Sequence, residues 1–326
     1  MNRTRTCIPM MLACAAFLFP LNGAYAAEAA YPVRPIRMIV PFVAGGGTDL
    51  LARLVAPGLG EVLGQQIVVD NRGGGGSIVG TQMLSKSPPD GYTIAMMDTA
   101  FAINPGFAEK LPYDAERDFA FVAIIATSPT VLVVRPGLKV RTLQDLIAAA
   151  KANPGSIKAA SAGIGSSSHL TTEMLNSAAR IRLLHVPYKG AGAAIQDMLG
   201  GHTDLTFAVA ASVIAQIQAG TLVPLAVTGK PSVLLPNVPT FTAAGFPAVN
   251  PEAFRFIAAP GGIPAAVNQR LTTALSKIMA SEELRTRLVN NGFDPEFQTG
   301  KEARDFVVRE IRKWRLAVKD SGAKPN

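Results

Sequence analysis

The stretch Ile39-Val40-Pro41-Phe42-Val43-Ala44-Gly45-Gly46-Gly47-Thr48-Asp49 constrains this chain more than any other. The apolar run Ile36 to Val40 predicts a buried strand and the three glycines a tight loop. Leu50, Leu51, Leu54 and Val55 form the apolar face of a following helix, which Thr48 or Asp49 can cap. A strand that turns through glycine into a helix start leaves bare backbone N–H groups at the end of a sheet. Those groups and the helix dipole favour an anion. The same device recurs at Ala159-Ala160-Ser161-Ala162-Gly163-Ile164-Gly165-Ser166-Ser167-Ser168, ahead of another helix. Two such loops, one in each half of the chain, predict a ligand held between two lobes.

The segments between them alternate in period. Helix over Leu50–Leu63, strand over Gln66–Asp70, helix over Ile78–Lys86 and strand over Tyr92–Met97 predict mainly parallel sheets flanked by helices, an α/β fold. The second half repeats strand–helix units, from Ile157–Ser161 to Leu222–Thr228. Phe254 to Ala259 reads as an apolar strand that returns the chain to the first lobe, with helices to follow. Lobe 1 is then 27–127 plus 251–326 and lobe 2 is 128–250. Two crossings, near Thr127–Thr130 and Asn250–Arg255, make a hinged clamshell.

Residues 1–26 read as a secretory signal: Arg3 and Arg5, an apolar core from Ile8 to Leu21, and the small-x-small site Ala24-Tyr25-Ala26. Cys7 and Cys14 are the chain's 2 cysteines and both lie in that leader. The mature protein therefore lacks disulfides, zinc–thiolate sites and cysteine nucleophiles, and is expected to be periplasmic. The net charge of +8 is scattered. Its densest run, Arg309 to Arg315, includes Glu310 and reads as a solvated helix face, not a nucleic-acid patch.

Enzyme motifs do not fit. No dinucleotide or phosphate-loop pattern is completed at the glycine runs, and the nearest hydrolase elbow, Gly165-Ser166-Ser167-Ser168-His169, has histidine in place of its last glycine. His169, His185 and His202 are too scattered to suggest a metal site. What remains is neutral donor chemistry: loop N–H groups and the hydroxyls of Thr48, Thr99, Ser161, Ser166 and Ser167. Such a set binds a carboxylate without transforming it. Asp49 and Asp204 either line the cleft or brace loops. Arg72 is a carboxylate clamp or an interlobe ion pair, and Lys189 is equally open.

The ordered set Ile39-Val40-Pro41-Phe42 with Gly45-Gly46-Gly47-Thr48-Asp49, Val69-Asp70-Asn71-Arg72, Pro89-Asp90-Gly91-Tyr92, Leu111-Pro112-Tyr113-Asp114, Ser161-Ala162-Gly163-Ile164-Gly165-Ser166, Val186-Pro187-Tyr188-Lys189-Gly190 and Leu235-Pro236-Asn237-Val238-Pro239 resembles the periplasmic solute-binding receptors of tripartite tricarboxylate transporters, the Bug or TctC-type family. The resemblance implies a two-lobed venus-flytrap fold of the type II-like periplasmic-binding-protein kind, with no enzymatic activity, cofactor or metal. It implies a grip on a ligand carboxylate by Phe42, Gly46, Gly47, Thr48 and Asp49 from one loop and Ser161, Gly163, Gly165 and Ser166 from the other. Thr99, in the loop Asp98–Phe101, and the segment from Asp204 would face the rest of the ligand, with Asn71, His169 and Lys189 completing the set. Implied partners are a small carboxylate and the membrane permease subunits, with a monomeric receptor and no nucleic acid. Two features depart from the family: the run Gly73–Gly76, and a loop after the third strand that carries Asp98 and Phe101. Asp98 facing the cleft would repel a second carboxylate and leave room for a monocarboxylate, an amino acid or an amide. A sensory ligand-binding protein would look the same in sequence. A serine hydrolase using Ser167 and His169 is the reading from another class.

Overall fold

The computed structural model describes residues 31–188, 190–232, 234–251 and 253–321, with the backbone alone described at Ser321. The expected leader, with its two cysteines, and Lys189 lie outside the described residues. No helix among those described is long and apolar enough to cross a membrane.

The first sheet is built from β1 (Ile36–Val40), β2 (Ile67–Asn71), β3 (Thr93–Asp98) and β4 (Phe119–Ser128), joined later in the chain by β10 (Ala253–Pro260) and β11 (Asp294–Thr299). Between them, α1 (Gly47–Leu63), α2 (Ile78–Ser85) and α3 (Ala100–Phe107) cover the early strands, and α8 (Ala265–Met279), α9 (Glu282–Asn290) and α10 (Gly300–Ser321) the late ones. The second sheet holds β5 (Thr130–Val134), β6 (Lys158–Ser161), β7 (Leu184–Pro187), β8 (Leu205–Val209) and β9 (Val223–Val227). Its helices are α4 (Leu143–Ala152), α5 (Ser167–Ala179), α6 (Ala191–Leu199) and the short α7 (Ile214–Gln218).

Strand order is β11-β4-β10-β3-β1-β2 in the first sheet and β7-β6-β8-β5-β9 in the second. β1 pairs in parallel with β2 and β3, and β6 with β7 and β8. The pairings of β4, β5, β10 and β11 are antiparallel. The sheets are thus mixed rather than mainly parallel. The physical reason is the double crossing: a strand that returns after visiting the other sheet inserts at mid-sheet against the run of the βαβ units. β11 and α3 carry no clear apolar period, and sequence reading leaves both out.

Periodicity explains the packing. Both faces of the first sheet are covered. One meets Leu51, Val55 and Leu59 of α1 with Leu271 and Leu275 of α8. The other meets an aromatic cluster of Phe101, Tyr113, Phe119, Phe121 and Phe256 backed by Trp314 of α10. Each such fully buried side chain contributes roughly 1.5–3 kcal/mol. α1 ends where Gly64 takes the left-handed conformation (φ 73°) and its N–H returns to Glu61 and Gly60. α4 begins with a capping box between Thr142 and Asp145.

The chain passes from the first sheet to the second at Ser128-Pro129-Thr130 and returns between Val227 and Ala253. The two passages lie side by side: Thr130 N donates to Thr228 Oγ1 at 3.1 Å, and Thr228 N to Thr130 O at 2.8 Å. Lobe 2 also reaches the core of lobe 1, because Leu170 of α5 is buried with Phe254, Phe306 and Trp314.

Candidate functional site

The opening loop leaves β1 at Val40 and enters α1 at Gly47. Gly46, the N-cap, is extended (φ −82°, ψ 168°) and no side chain caps the helix. No protein acceptor among the described residues takes the N–H groups of Gly46, Gly47 or Thr48. Asp49 turns back instead of forward. It accepts from Gly45 N at 2.9 Å, Arg53 Nε at 3.0 Å and Asn71 Nδ2 at 3.0 Å. Burial pushes its carboxyl up, but the hydrogen bonds from Arg53, Gly45 and Asn71 outweigh burial and hold it below the usual carboxylate range. Asn71 Nδ2 also donates to Phe42 O at 3.2 Å. Asp49, Asn71 and Arg53 therefore shape the loop from behind, and its amides remain available to an anion.

The second loop leaves β6 at Ser161 and enters α5 at Ser167. Ser166 caps the helix, accepting from His169 N at 3.3 Å while its hydroxyl donates to Gly163 O at 2.6 Å. Ala162 N donates to Ser168 Oγ at 2.9 Å, and Gly163 N to Ser161 Oγ at 3.2 Å. Ser161 Oγ lies 2.6 Å from His185 Nε2. His169 Nδ1 accepts from Gly165 N at 3.1 Å, and its ring stacks on His185 with centroids 3.8 Å apart. Burial, then the neighbouring His185, lowers the His169 pKa from 6.5 to about 4, so the ring is neutral at pH 7. Ile164, Ser167 and Ser168 keep N–H groups without a protein acceptor among the described residues.

The second loop touches lobe 1 at α3. Gly165 lies so close to Phe107, at the end of α3, that a Cβ there would overlap the ring. Beside the opening loop, Thr48 Oγ1 donates to Asp98 Oδ2 at 3.1 Å and Ala100 N to Asp98 Oδ1 at 2.8 Å. Arg255 stands opposite Asp98 in the β10–β3 register. Its Nη1 donates to Ser128 Oγ at 3.0 Å, its guanidinium carbon lies 5.0 Å from the Phe293 ring, and Nη2 would sit 3.2 Å from a Cβ on Gly47. Enclosure raises the Asp98 pKa against the opposing pull of Arg255. Sequence reading missed Arg255. Its signal was a lone cation inside the apolar run Phe254-Arg255-Phe256-Ile257.

The family model for tripartite tricarboxylate transporter family receptors matches residues 51–323. This chain belongs to that receptor family. The protein BugT of Bordetella pertussis is 33% identical over 99% of both chains, and a protein from the tcbD-tcbE intergenic region of Pseudomonas sp. strain P51 is 36% identical over 89% of this chain and 87% of its own. Among solved structures, the periplasmic binding protein BugD is 31% identical with a TM-score of 0.80, covering 91% of this chain and 100% of its own. A protein of R. palustris solved with adipate is 31% identical with a TM-score of 0.83 over the same shares. MatC of Rhodopseudomonas palustris, solved with malate, is 27% identical with a TM-score of 0.79, covering 88% of this chain and 100% of its own. These relatives share the two-lobed periplasmic-binding-protein fold.

Asp204 and Thr99 of the expected set, and Arg72, which the sequence left open, have partners of their own. Asp204 sits at the amino end of the second sheet, away from the Ser161 loop, where Arg135 Nε donates to it at 2.9 Å and Lys158 N at 2.8 Å. It braces strands. Thr99 is buried and exchanges hydrogen bonds with Phe254, accepting from its N at 3.0 Å. Arg72 pairs with its near neighbour Asp70 at 2.9 Å and makes no interlobe bridge among the described residues. Phe101 packs in the aromatic core and does not face the cleft. Ser167 and His169 form no nucleophile–base pair, because Gly165 N occupies His169 Nδ1 and Glu173 lies 3.9 Å from Nε2. The described residues hold no group of three or more His, Cys, Asp or Glu suited to a metal.

Proposed function

We propose that this receptor captures a small organic acid between the opening loop of lobe 1 and the Ser161–Ser166 loop of lobe 2, and delivers it unchanged to the permease subunits of a tripartite tricarboxylate transporter. The observation that carries the reading is the pair of helix starts. Each leaves three N–H groups without a protein acceptor, and the loops come from opposite lobes that meet at Gly165 and Phe107. Backbone donors at helix starts suit a carboxylate. The relatives solved with adipate and with malate support an acid as the ligand. Arg3, Arg5 and the apolar segment after them support export to the periplasm, where a monomer would work.

A thermal-shift screen of the mature chain against mono- and dicarboxylates, acidic amino acids, aromatic acids and matched uncharged amides tests this. A ligand at a hundred times its Kd stabilises the fold by roughly 2.7 kcal/mol, a rise of several degrees in Tm. An acid is expected to give that rise and its amide not. A rise among the uncharged compounds alone would remove the anion from both loops.

A further inference from the structure

Arg255 lies outside the binding set that the sequence predicts. It sits 6% exposed in an apolar strand. Its Nε is buried without a hydrogen-bond partner. Its Nη2 approaches the first turn of α1 so closely that a Cβ at Gly47 would stand 3.2 Å away, a distance glycine relieves. Asp98 acts on it through space, but the Asp98 oxygens already accept from Thr48 and Ala100. This corner of lobe 1 therefore has an excess of donors: a guanidinium with unused capacity beside the unpaired amides of Gly47 and Thr48. A buried donor left without a partner costs free energy, and a planar guanidinium matches a carboxylate edge. The corner also lies at the carboxyl ends of β1 and β3, where ligands of α/β sheets bind.

We propose that Arg255 is a ligand-binding residue that holds a carboxylate of the ligand at the start of α1 together with the Gly47 and Thr48 amides, and that Asp98 opposes it and sets the strength of the grip. This rests on the receptor reading above and names the charged contact within it. Because Nη1 also holds Ser128 at the first crossing, the bound anion is tied to the passage between lobes.

Calorimetry of adipate, malate, glutamate and nicotinate with the wild-type mature chain and with Arg255→Met, Arg255→Lys and Asp98→Asn tests it. Arg255→Met is expected to weaken the acid that the wild type binds by roughly 10- to 100-fold, the range of a charged hydrogen bond. Arg255→Lys, which keeps the charge and loses the fork, falls between the two. Asp98→Asn is expected to bind more tightly, by roughly threefold to tenfold. A purely structural role for the pair would make all three variants weaker. Unchanged affinity in Arg255→Met, or unchanged or weaker affinity in Asp98→Asn, overturns the proposal and leaves the receptor reading standing. If Arg255→Met does not fold, Asp98→Asn decides alone. Failure of the wild type to bind any acid, in these titrations and across the thermal-shift screen, overturns both.

Discussion

The two helix starts proposed to hold the ligand solve the same problem by opposite means. α1 begins on glycine with no side-chain cap, and its acid, Asp49, points backwards to hold the loop's shape. α5 begins on Ser166, which caps the helix and carries a chain of hydroxyls and stacked imidazoles. Lobe 1 thus offers bare amides beside a buried cation, Arg255. Lobe 2 offers a neutral loop whose side chains are already bonded to one another. On the proposed reading the division assigns charge recognition to lobe 1, which supplies the field, and shape to lobe 2, which packs against lobe 1 where Gly165 meets Phe107.

The largest test of that division is Gly165→Ala. Gly165 has φ +75°, and a Cβ would overlap the Phe107 ring. Left-handed strain and overpacking together are expected to cost about 2–4 kcal/mol in the arrangement where the second loop meets α3. Titration of a bound acid should show affinity falling by more than roughly tenfold. Adding Phe107→Ala should recover part of the loss. No recovery would place the whole cost in the backbone and remove the role of Phe107 as the surface against which lobe 2 closes.

Next in size is Asp49→Ala. It leaves Gly45 N–H and Asn71 Nδ2 without their carboxylate, an expected loss of about 2 kcal/mol of stability by denaturant unfolding. Affinity should change little once the variant is folded. A variant of wild-type stability that no longer binds acids would make Asp49 a ligand contact and reverse the contrast between the loops.

These two residues also mark how far the sequence could be read. Both helix starts, the βαβ order and the two passages between sheets follow from apolar runs, glycines and turn residues, which are local signals. The direction in which a side chain turns is not local. Asp49 could have capped α1 or lined the cleft; its partners Gly45, Arg53 and Asn71 decide, and Asn71 arrives from β2. Asp204 looked like a cleft acid, yet Arg135 and Lys158 hold it at the far end of the sheet. Asp98 looked like a charge that repels acids, and Arg255, 157 positions later in the chain, stands opposite it in the strand register. β11 was illegible for a different reason: it is half-buried along its whole length, with neither alternation nor an apolar run to reveal it.

The smallest effect concerns the neutrality of the lobe 2 loop. His169 accepts Gly165 N–H through Nδ1, which requires an unprotonated ring. It faces His185 across the stack and Glu173 at 3.9 Å, and burial with the His185 neighbour prevails over that carboxylate. Its pKa is lowered from 6.5 to about 4, and burial lowers that of His185 as well. A histidine whose folded pKa lies below its unfolded value contributes its full stability above pH 6.5 and loses it as pH falls towards 4. From pH 7.5 to pH 6 the loss from His169 is expected to be about 1 kcal/mol or less. His169→Gln should flatten the fall in Tm over that interval while leaving the steeper loss below pH 4, where carboxylates such as Asp49 protonate. Ligand affinity in the wild type should hold over the same interval, because the folded ring stays neutral until pH nears 4, and should weaken only there, where a protonated Nδ1 no longer accepts Gly165 N–H. A wild-type protein whose Tm is flat from pH 7.5 to pH 6, or whose affinity already falls there, would mean that the folded ring is not held neutral, and the contrast between a charged lobe 1 and a neutral lobe 2 would lose its second half.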